Sequence, residues 1–251
     1  MKYNRQKELE AYLREKKSVS NEELLEKFNI SIQTLRRDLK KLEDQNLITK
    51  VYGGVVYNSE PDSVRDVDPL QDRDTSFYEE KEHIGALAAQ LVEDNDVIFI
   101  DSGTTAYRML HYMKDLKNVT VISHCLDVMI LVRDMPNLTG ICIGGTLMSS
   151  TGTFLADTRF YPYNYNKAFI STVGISLTRN LTNTNLEEGH MKAHVIRHSK
   201  YAYVMADHSK FDVIAYNHFA DISDVKGFIT DVCPSEKYLR LFAGNQTELI
   251  Y

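Results

Sequence analysis

Asp101-Ser102-Gly103-Thr104-Thr105 closes a run of β-branched and aromatic residues, Val97 to Ile100, and precedes a helix-like stretch over 105–114. A buried strand that delivers small hydroxyl residues and a glycine to a helix start makes an anion cradle. Backbone N–H groups point outward, the helix dipole favours negative charge, and Gly103 lets a ligand approach closely. The spacing therefore predicts a seat for a phosphate or sugar phosphate, although such residues also serve simply to turn and cap. Other polar groups stand at the ends of apolar runs: Ser123-His124, Gly144-Gly145 and Asp207-His208-Ser209-Lys210. Lys210 would bring a cation to a phosphate already held by N–H groups and hydroxyls, with Asp207 orienting it.

The elements that must position these residues alternate. Strands are predicted at 97–101, 119–123, 140–144, 167–174, 201–206 and 225–229, with helices at about 105–114, 125–134 and 186–199. A helix opens before them, with Ser76 and Glu79 at capping-box spacing. This alternation implies an α/β domain with a largely parallel sheet, in which ligands bind beyond the carboxyl ends of the strands. His190, His194 and His198 recur at helical spacing, but there is no HExxH and no carboxylate at the matching position. They read as a partly exposed helix face, and neither a metal nor a cofactor is expected. Cys125, Cys142 and Cys233 form no CxxC pair and read as buried thiols.

The amino-terminal segment differs in charge and pattern. Residues 1–58 hold 12 basic and 9 acidic residues, a net of +3, against −9 for the remainder. A basic head on an acidic body suits a polyanion partner. Leu9, Tyr12 and Leu13 share a helical face. Ser20 and Glu23 have capping-box spacing before a short helix carrying Leu24, Leu25 and Phe28. Ser31 is an N-cap for a third helix, Ile32 to about Gln45, whose Leu35, Leu39 and Leu42 face inward. The β-rich runs 47–52 and 55–57 flank Gly53-Gly54, a hairpin signal. Helix, short helix, turn, helix and hairpin make a winged helix-turn-helix, with the third helix entering the major groove and the wing near the DNA backbone. Gln33, Thr34 and Arg37 are placed near base edges. Ser20, Arg36, Lys40, Lys50 and Tyr52 are placed near phosphates, with Ser31, Gly53 and Gly54 completing the DNA-binding set.

The run ISIQTLRRDLKKLEDQNLITKVYGGV resembles the amino-terminal domain of the DeoR family of bacterial transcriptional regulators. The Thr-x-Arg-Arg-Asp-Leu core falls on Thr34 to Leu39, then Leu42-Glu43, and the wing ends at Gly53-Gly54. Asn46 stands where the family often has Gly after the recognition helix, and Asn also tolerates the left-handed conformation. Residues 79–231 resemble the family's effector-binding domain through Ile84-Gly85, Asp101 to Thr105, Gly144-Gly145, Lys167 to Ile170, Asp207 to Phe211 and Ile229 to Asp231. The resemblance implies a fold related to ribose-5-phosphate isomerase and glucosamine-6-phosphate deaminase. It also implies that Glu188, with Lys192, lies near the effector or a dimer partner. His124 replaces the family's usual Asn, which leaves a sugar-hydroxyl contact in place but adds a titratable group.

The sequence thus predicts three parts: a winged helix-turn-helix at 1–58, a linker at 59–76 and an α/β effector domain at 77–251. Expected partners are double-stranded operator DNA, a phosphorylated sugar or related effector, and further copies of the chain in a dimer or higher even oligomer. The start MKYNRQKELE lacks the apolar core of a signal peptide and no run suits a bilayer, so no membrane partner and a cytoplasmic location are expected. The function expected is a repressor of a carbohydrate-utilisation operon, not an enzyme. The rival is a sugar-phosphate isomerase or deaminase carrying a DNA-binding head, since Asp101, Glu187, Glu188, His124 and Asp207 offer acid–base groups without forming a complete set. If Lys50 meets a phosphate, Lys50→Ala weakens binding to all duplexes alike. It also flattens the slope of log K against log salt by about one unit, as equilibrium titrations over a salt series would read.

Overall fold

The computed structural model describes residues 5, 9, 12, 13, 16–44, 47–51, 53–57, 76–155 and 163–251. The chain divides into two compact units, residues 1–63 and 64–251. The expectations for Asn46, Tyr52 and linker residues 59–75 lie outside the described residues.

In the first unit Arg5, Leu9, Tyr12, Leu13 and Lys16 are helical. Strand β1 (Ser18–Ser20), helices α1 (Asn21–Phe28) and α2 (Ile32–Asp44), and strands β2 (Ile48–Val51) and β3 (Gly54–Tyr57) follow. Ser20 Oγ accepts from the Glu23 N–H at 3.1 Å and caps α1. The reciprocal half of the expected capping box is replaced: Glu23 accepts the Tyr12 hydroxyl at 2.7 Å, while the Ser20 backbone pairs with Gly54. Ser31 caps α2, its hydroxyl accepting from Thr34 N–H at 3.3 Å and its carbonyl from Leu35 N–H at 2.9 Å. Leu9, Leu13, Leu24, Leu35, Leu39, Leu42, Ile48 and Val55 form the core of this unit. Asp38 is buried on the same helix and accepts from Arg5 Nε at 3.0 Å and Nη2 at 2.6 Å, tying α2 to the first helical segment.

The wing has one strand more than expected, in the antiparallel order β1-β3-β2. That extra strand explains the glycine pair. Gly53 turns the hairpin with φ 77°, a conformation that penalises any side chain. Gly54 is buried under β1, where a Cβ would stand 2.5 Å from the Val19 carbonyl oxygen.

The second unit is built on a seven-stranded, wholly parallel sheet. Its strands are β4 (Val97–Ile100), β5 (Val119–Ser123), β6 (Leu138–Cys142), β9 (Tyr165–Ser171), β12 (Ser199–Met205), β14 (Gly227–Ile229) and β15 (Glu248–Ile250), in the order β15-β14-β12-β9-β4-β5-β6. The other strands are β7 (Thr146–Met148) and β8 (Thr153–Leu155), which pair as a hairpin, and β10 (Gly174–Ser176), β11 (Asn180–Asn183) and β13 (Asn217–Ala220), which make a small antiparallel sheet. Helices α3 (Tyr78–Ala89), α4 (Leu126–Arg133), α5 (Leu186–Arg197) and α6 (Glu236–Asn245) join them, with 3-10 helices at Tyr107–Tyr112, His208–Lys210 and Ile222–Asp224. Along β4, Ile98 and Ile100 pack with Ile84, Ala88, Met109 and Val128, while Phe99 packs with Val195, Ile196, Tyr238 and Phe242. Both faces of the sheet are therefore covered at β4, which is why that strand reads as a continuous apolar run rather than an alternating one.

Four expectations are corrected. The helix over 105–114 is a six-residue 3-10 helix. The strand expected at 167–174 splits because the chain leaves the main sheet after Ser171; the Thr172 hydroxyl lies 3.0 Å from the carbonyls of both Gly174 and Thr182 and fixes the bend. Helix α3 starts behind Phe77, which holds φ 54° at its cap position, rather than behind Ser76. Of the cysteines only Cys125 is buried; Cys142 and Cys233 are exposed.

The two wing glycines separate in a stability measurement. Gly54→Ala forces β1 away from β3 and costs about 1–3 kcal/mol as overpacking, whereas Gly53→Ala costs about 1–2 kcal/mol of left-handed strain. Hydrogen exchange of the β1 and β3 amides in the full chain reads both. Equal protection of β1 in wild type and Gly54→Ala would refute the packing assignment.

Candidate effector site and nucleic-acid interface

The DNA-facing residues predicted on α2 fall into one stripe. Gln33, Arg36, Arg37 and Lys40 are all exposed, opposite the buried Leu35, Asp38, Leu39 and Leu42. They recur at the i, i+3, i+4, i+7 spacing of a single helical face. Thr34 is half-buried, its hydroxyl 3.0 Å from Ser31 Oγ, so the two form a local pair at the start of the helix. Lys50 is exposed but its ammonium donates to Glu43 at 2.6 Å, so a phosphate would compete with that carboxylate. Ser20 and Gly53 are exposed, whereas the burial of Gly54 accounts for that glycine by packing.

In the second unit the sheet order places β4 between β5 and β9. The chain runs outward from β4 through β5 to β6, then returns to the opposite side of β4 as β9. The carboxyl ends of β4 and β9 therefore flank a topological switch point, where open parallel sheets bind ligands. Asp101 follows β4 there and Ser171 ends β9. Asp101 Oδ2 accepts from Ser171 N–H at 2.8 Å, from Ser171 Oγ at 2.6 Å and from Lys192 Nζ at 2.6 Å. Lys192 also donates to the Ser171 carbonyl at 2.8 Å. Both charged groups are buried, Asp101 at 0% and Lys192 at 3% relative exposure. Burial pushes the Asp101 carboxyl up, but Lys192, His124 and the hydrogen bonds from Lys192 and Ser171 outweigh it and hold the pKa down to about 2. Asp101 is thus a fixed anion and Lys192 its counter-ion.

His124 follows β5 and is buried at 1% exposure, its ring stacked on Phe99 at 5.6 Å. Its Nε2 lies 3.7 Å from Asp101 Oδ1. Burial pulls its pKa below the usual value, opposed by Asp101 and assisted by Lys192, so the ring is neutral. Neither His124 nitrogen nor Asp101 Oδ1 has a hydrogen-bond partner among the described residues, although all three atoms are buried. Glu188 stands in the first turn of α5; its carboxylate accepts from Asn183 Nδ2 at 3.1 Å and from Thr153 Oγ1 at 3.4 Å. Strand β8 runs beside His124: Phe154 N–H donates to the His124 carbonyl at 2.7 Å and Leu126 N–H to the Gly152 carbonyl at 2.8 Å. Ser123 is buried and its Oγ accepts from Cys125 N–H at 3.1 Å. Gly144 and Gly145 lie exposed beyond β6.

The cradle at 101–105 is built differently from the sequence expectation. Thr104 and Thr105 are buried, Ser102 and Gly103 half-buried, and the segment is a series of turns. The 3-10 helix that follows has only six residues and supplies no α-helical dipole at the loop. Gly103 is needed because the Ser171 side chain occupies the place of its missing Cβ, not to leave room for a ligand. Asp207 and Lys210 lie beyond β12. Asp207 is buried and accepts from Ser209 N–H at 2.9 Å, with Lys210 Nζ 3.9 Å away and 31% exposed. Beside them His208 Nδ1 meets Asp231 Oδ2 at 2.5 Å. Burial pulls the His208 pKa down, but Asp231 and Asp207 more than restore it, raising it overall. At the carboxyl end of α5, His194 and the capping residue His198 stack at 4.0 Å.

Ser171 has no sequence signature; only the β4–β9 neighbourhood makes it part of the site. Lys192 does leave a trace. It sits among Met191, Val195 and Ile196 on the buried face of α5, where a lysine requires a buried counter-charge.

Residues 5–61 match the DeoR-like helix-turn-helix domain and residues 76–232 the DeoR C terminal sensor domain. The chain is 37% identical over 214 residues to the HTH-type transcriptional regulator IolR of Bacillus subtilis, covering 84% of each chain. It is 29% identical over 234 residues to the glycerol-3-phosphate regulon repressor of Escherichia coli, covering 92% of this chain and 91% of that one. It is 28% identical over 241 residues to the lactose phosphotransferase system repressor of Staphylococcus epidermidis, covering 94% of each. Among solved structures, the ribose 5-phosphate isomerase A of Methanocaldococcus jannaschii is similar at 17% identity and a TM-score of 0.41, covering 54% of this chain and 55% of that one. No helix among the described residues is long and apolar enough to cross a membrane. A helix-turn-helix head with an exposed basic stripe, joined in one chain to a parallel-sheet sensor domain, belongs to the DeoR family of DNA-binding transcriptional regulators.

Proposed function

We propose that this regulator is a repressor of a carbohydrate-utilisation operon and that a phosphorylated sugar or related metabolite, bound at the β4–β9 switch point, releases it from operator DNA. The observation that carries the reading is the buried Asp101–Ser171–Lys192 cluster at the carboxyl ends of the two strands. It builds a rigid polar floor where such sheets take ligands. Lys210 and Ser209, beyond β12, hold the phosphate. Strand β12 lies two places from β4 in the sheet, about 10 Å at the usual strand spacing, a distance an extended sugar phosphate bridges. Thr104, Thr105, Ser123, Gly144, Gly145 and Glu188 line the remainder. The names of two relatives, the glycerol-3-phosphate regulon and lactose phosphotransferase system repressors, support a sugar-linked regulon.

Sensing rather than turnover is the better reading of this floor. Isomerases and deaminases of sugar phosphates need a base poised near neutral pH. Asp101 is held at about pKa 2, and Lys192 is occupied by it. The chain acts in the cytoplasm as a dimer or higher even oligomer, since one head makes too few contacts to select a site in a genome. Gln33, Thr34 and Arg37 read bases, while Ser20, Ser31, Arg36, Lys40, Lys50, Tyr52 and Gly53 meet the backbone.

Fluorescence anisotropy on a duplex selected from a random pool tests this. D-glucose 6-phosphate, D-fructose 6-phosphate and D-ribose 5-phosphate are titrated into the full chain on DNA. At least one weakens binding by tenfold or more, and Lys210→Ala shifts that titration to at least tenfold higher ligand. Effector sensitivity undiminished in Lys210→Ala would refute the phosphate placement. Turnover of these sugar phosphates without any effect on DNA binding would revive the enzyme reading.

A further inference from the structure

Helix α2 begins in a way that its own stability does not explain. A carboxylate in the first turn complements the positive end of the helix dipole. Helices α1, α3, α4, α5 and α6 each carry at least one there, from Glu22 and Glu23 in α1 to Glu236 in α6. The first turn of α2 carries none. It opens instead on Ile32, which is 42% exposed and is the one large apolar residue exposed among the described residues of the first unit. The other apolar residues of α2, Leu35, Leu39 and Leu42, are buried in the core. Ser31 before it is occupied as the helix cap and as the partner of the Thr34 hydroxyl. Ile32 thus stands beside Gln33 and one turn before Arg36, at the edge of the exposed basic stripe.

We infer that Ile32 is a specificity-determining residue that reads the 5-methyl group of a thymine in the operator. The inference rests on the placement of α2 in the major groove proposed above and adds an apolar contact to its polar ones. Side chains on a helix tilt toward its N-terminus, so the first residue reaches past the end of the helix. The N-terminal residues of a recognition helix are the ones that meet base edges. In the major groove thymine alone offers a methyl group, whereas guanine, adenine and cytosine present N7, O6, N6 or N4. A branched hydrocarbon gains by covering the methyl group. Over a polar edge it would strip away water and return no hydrogen bond. Isoleucine is also stiff at χ1 in a helix, so little freedom is lost when it is seated. A carboxylate in this first turn would oppose the phosphates that line the groove, and its absence from α2 fits the same approach.

The test is fluorescence anisotropy of the full chain on the duplex selected from a random pool, with each thymine replaced in turn by deoxyuridine. The replacement removes the methyl group and keeps the base pairing. Wild type loses about fourfold in affinity at one thymine position at least, the transfer free energy of about one buried methyl group. Ile32→Ala binds the thymine duplex about fourfold more weakly and no longer distinguishes thymine from deoxyuridine at that position. Ile32→Val, which keeps the branch at Cβ, retains a preference of about twofold. Both variants keep the wild-type salt slope, since no phosphate contact is touched, and their melting curves serve as the fold control. Equal deoxyuridine sensitivity in wild type and Ile32→Ala overturns the assignment, as does a wild type indifferent to every replacement. A flattened salt slope in Ile32→Ala overturns it as well, because the loss would then come from a displaced phosphate contact. The groove placement is tested separately by the double variant Arg36→Ala, Arg37→Ala. If that variant keeps wild-type operator affinity and salt slope, the placement and this inference fall together. If it loses operator binding while Ile32→Ala keeps full deoxyuridine sensitivity, the placement stands and only the methyl reading falls.

Discussion

The sensor domain depends on one buried ion pair, Asp101 with Lys192. It joins three elements that are far apart in the chain: the end of β4, the end of β9 through Ser171, and the inward face of α5. Charges this deep are tolerated when they are paired, and removing one partner from such a pair typically costs about 3–5 kcal/mol. The neighbouring details follow from it. Gly103 is a glycine because Ser171 must come close enough to donate to Asp101. The carboxylate stays ionised at all physiological pH because its counter-ion is fixed. The neighbouring imidazole stays neutral because burial outweighs the attraction of Asp101. A rigid polar floor of this kind suits recognition, since binding need not first reorganise it.

The head follows a similar logic at smaller scale. Asp38 sits between the exposed pairs Arg36-Arg37 and Lys40-Lys41 on the buried side of α2, and its burial against Arg5 anchors the helix that carries Gln33, Arg36, Arg37 and Lys40. With the inward side fixed by Asp38 and three leucines, the outward stripe is fixed as well. The wing is pinned by a third strand, β1, that exists only because Gly54 has no side chain. In both units an acidic residue within a family-like motif serves first as an internal tie, and the exposed chemistry is arranged around it.

Much of this fold is legible in the sequence for a physical reason: the informative signals are local. Helical spacing of Leu35, Leu39 and Leu42, the Ser20 and Ser31 caps, and the Gly53-Gly54 turn each act within a few residues, so the winged helix-turn-helix follows from residue order alone. Six of the seven strands of the main sheet are legible because the sheet is covered on both faces and each of these strands carries an apolar run. The small antiparallel sheet, the β7–β8 hairpin and the edge strand β15 escape because their strands are only three or four residues long; helix α6 escapes as well. The 3-10 helix reads as α-helical since six residues cannot distinguish the two periods.

By itself the sequence determined the two-part organisation, the parallel α/β class, the basic recognition helix and the polar residues at the strand ends. Only the tertiary structure decided which of those residues meet. Sheet order is a long-range property: that β9 rather than another strand lies beside β4 depends on packing across the whole domain. That neighbourhood recruits Ser171 and directs Lys192 to Asp101. It also leaves Asp101 Oδ1 and His124 facing each other without partners among the described residues. The stretch from Asp101 to Thr105, which reads alone as an anion cradle on a helix start, is in the folded protein a series of turns whose Asp101 is bound to the Lys192 ammonium.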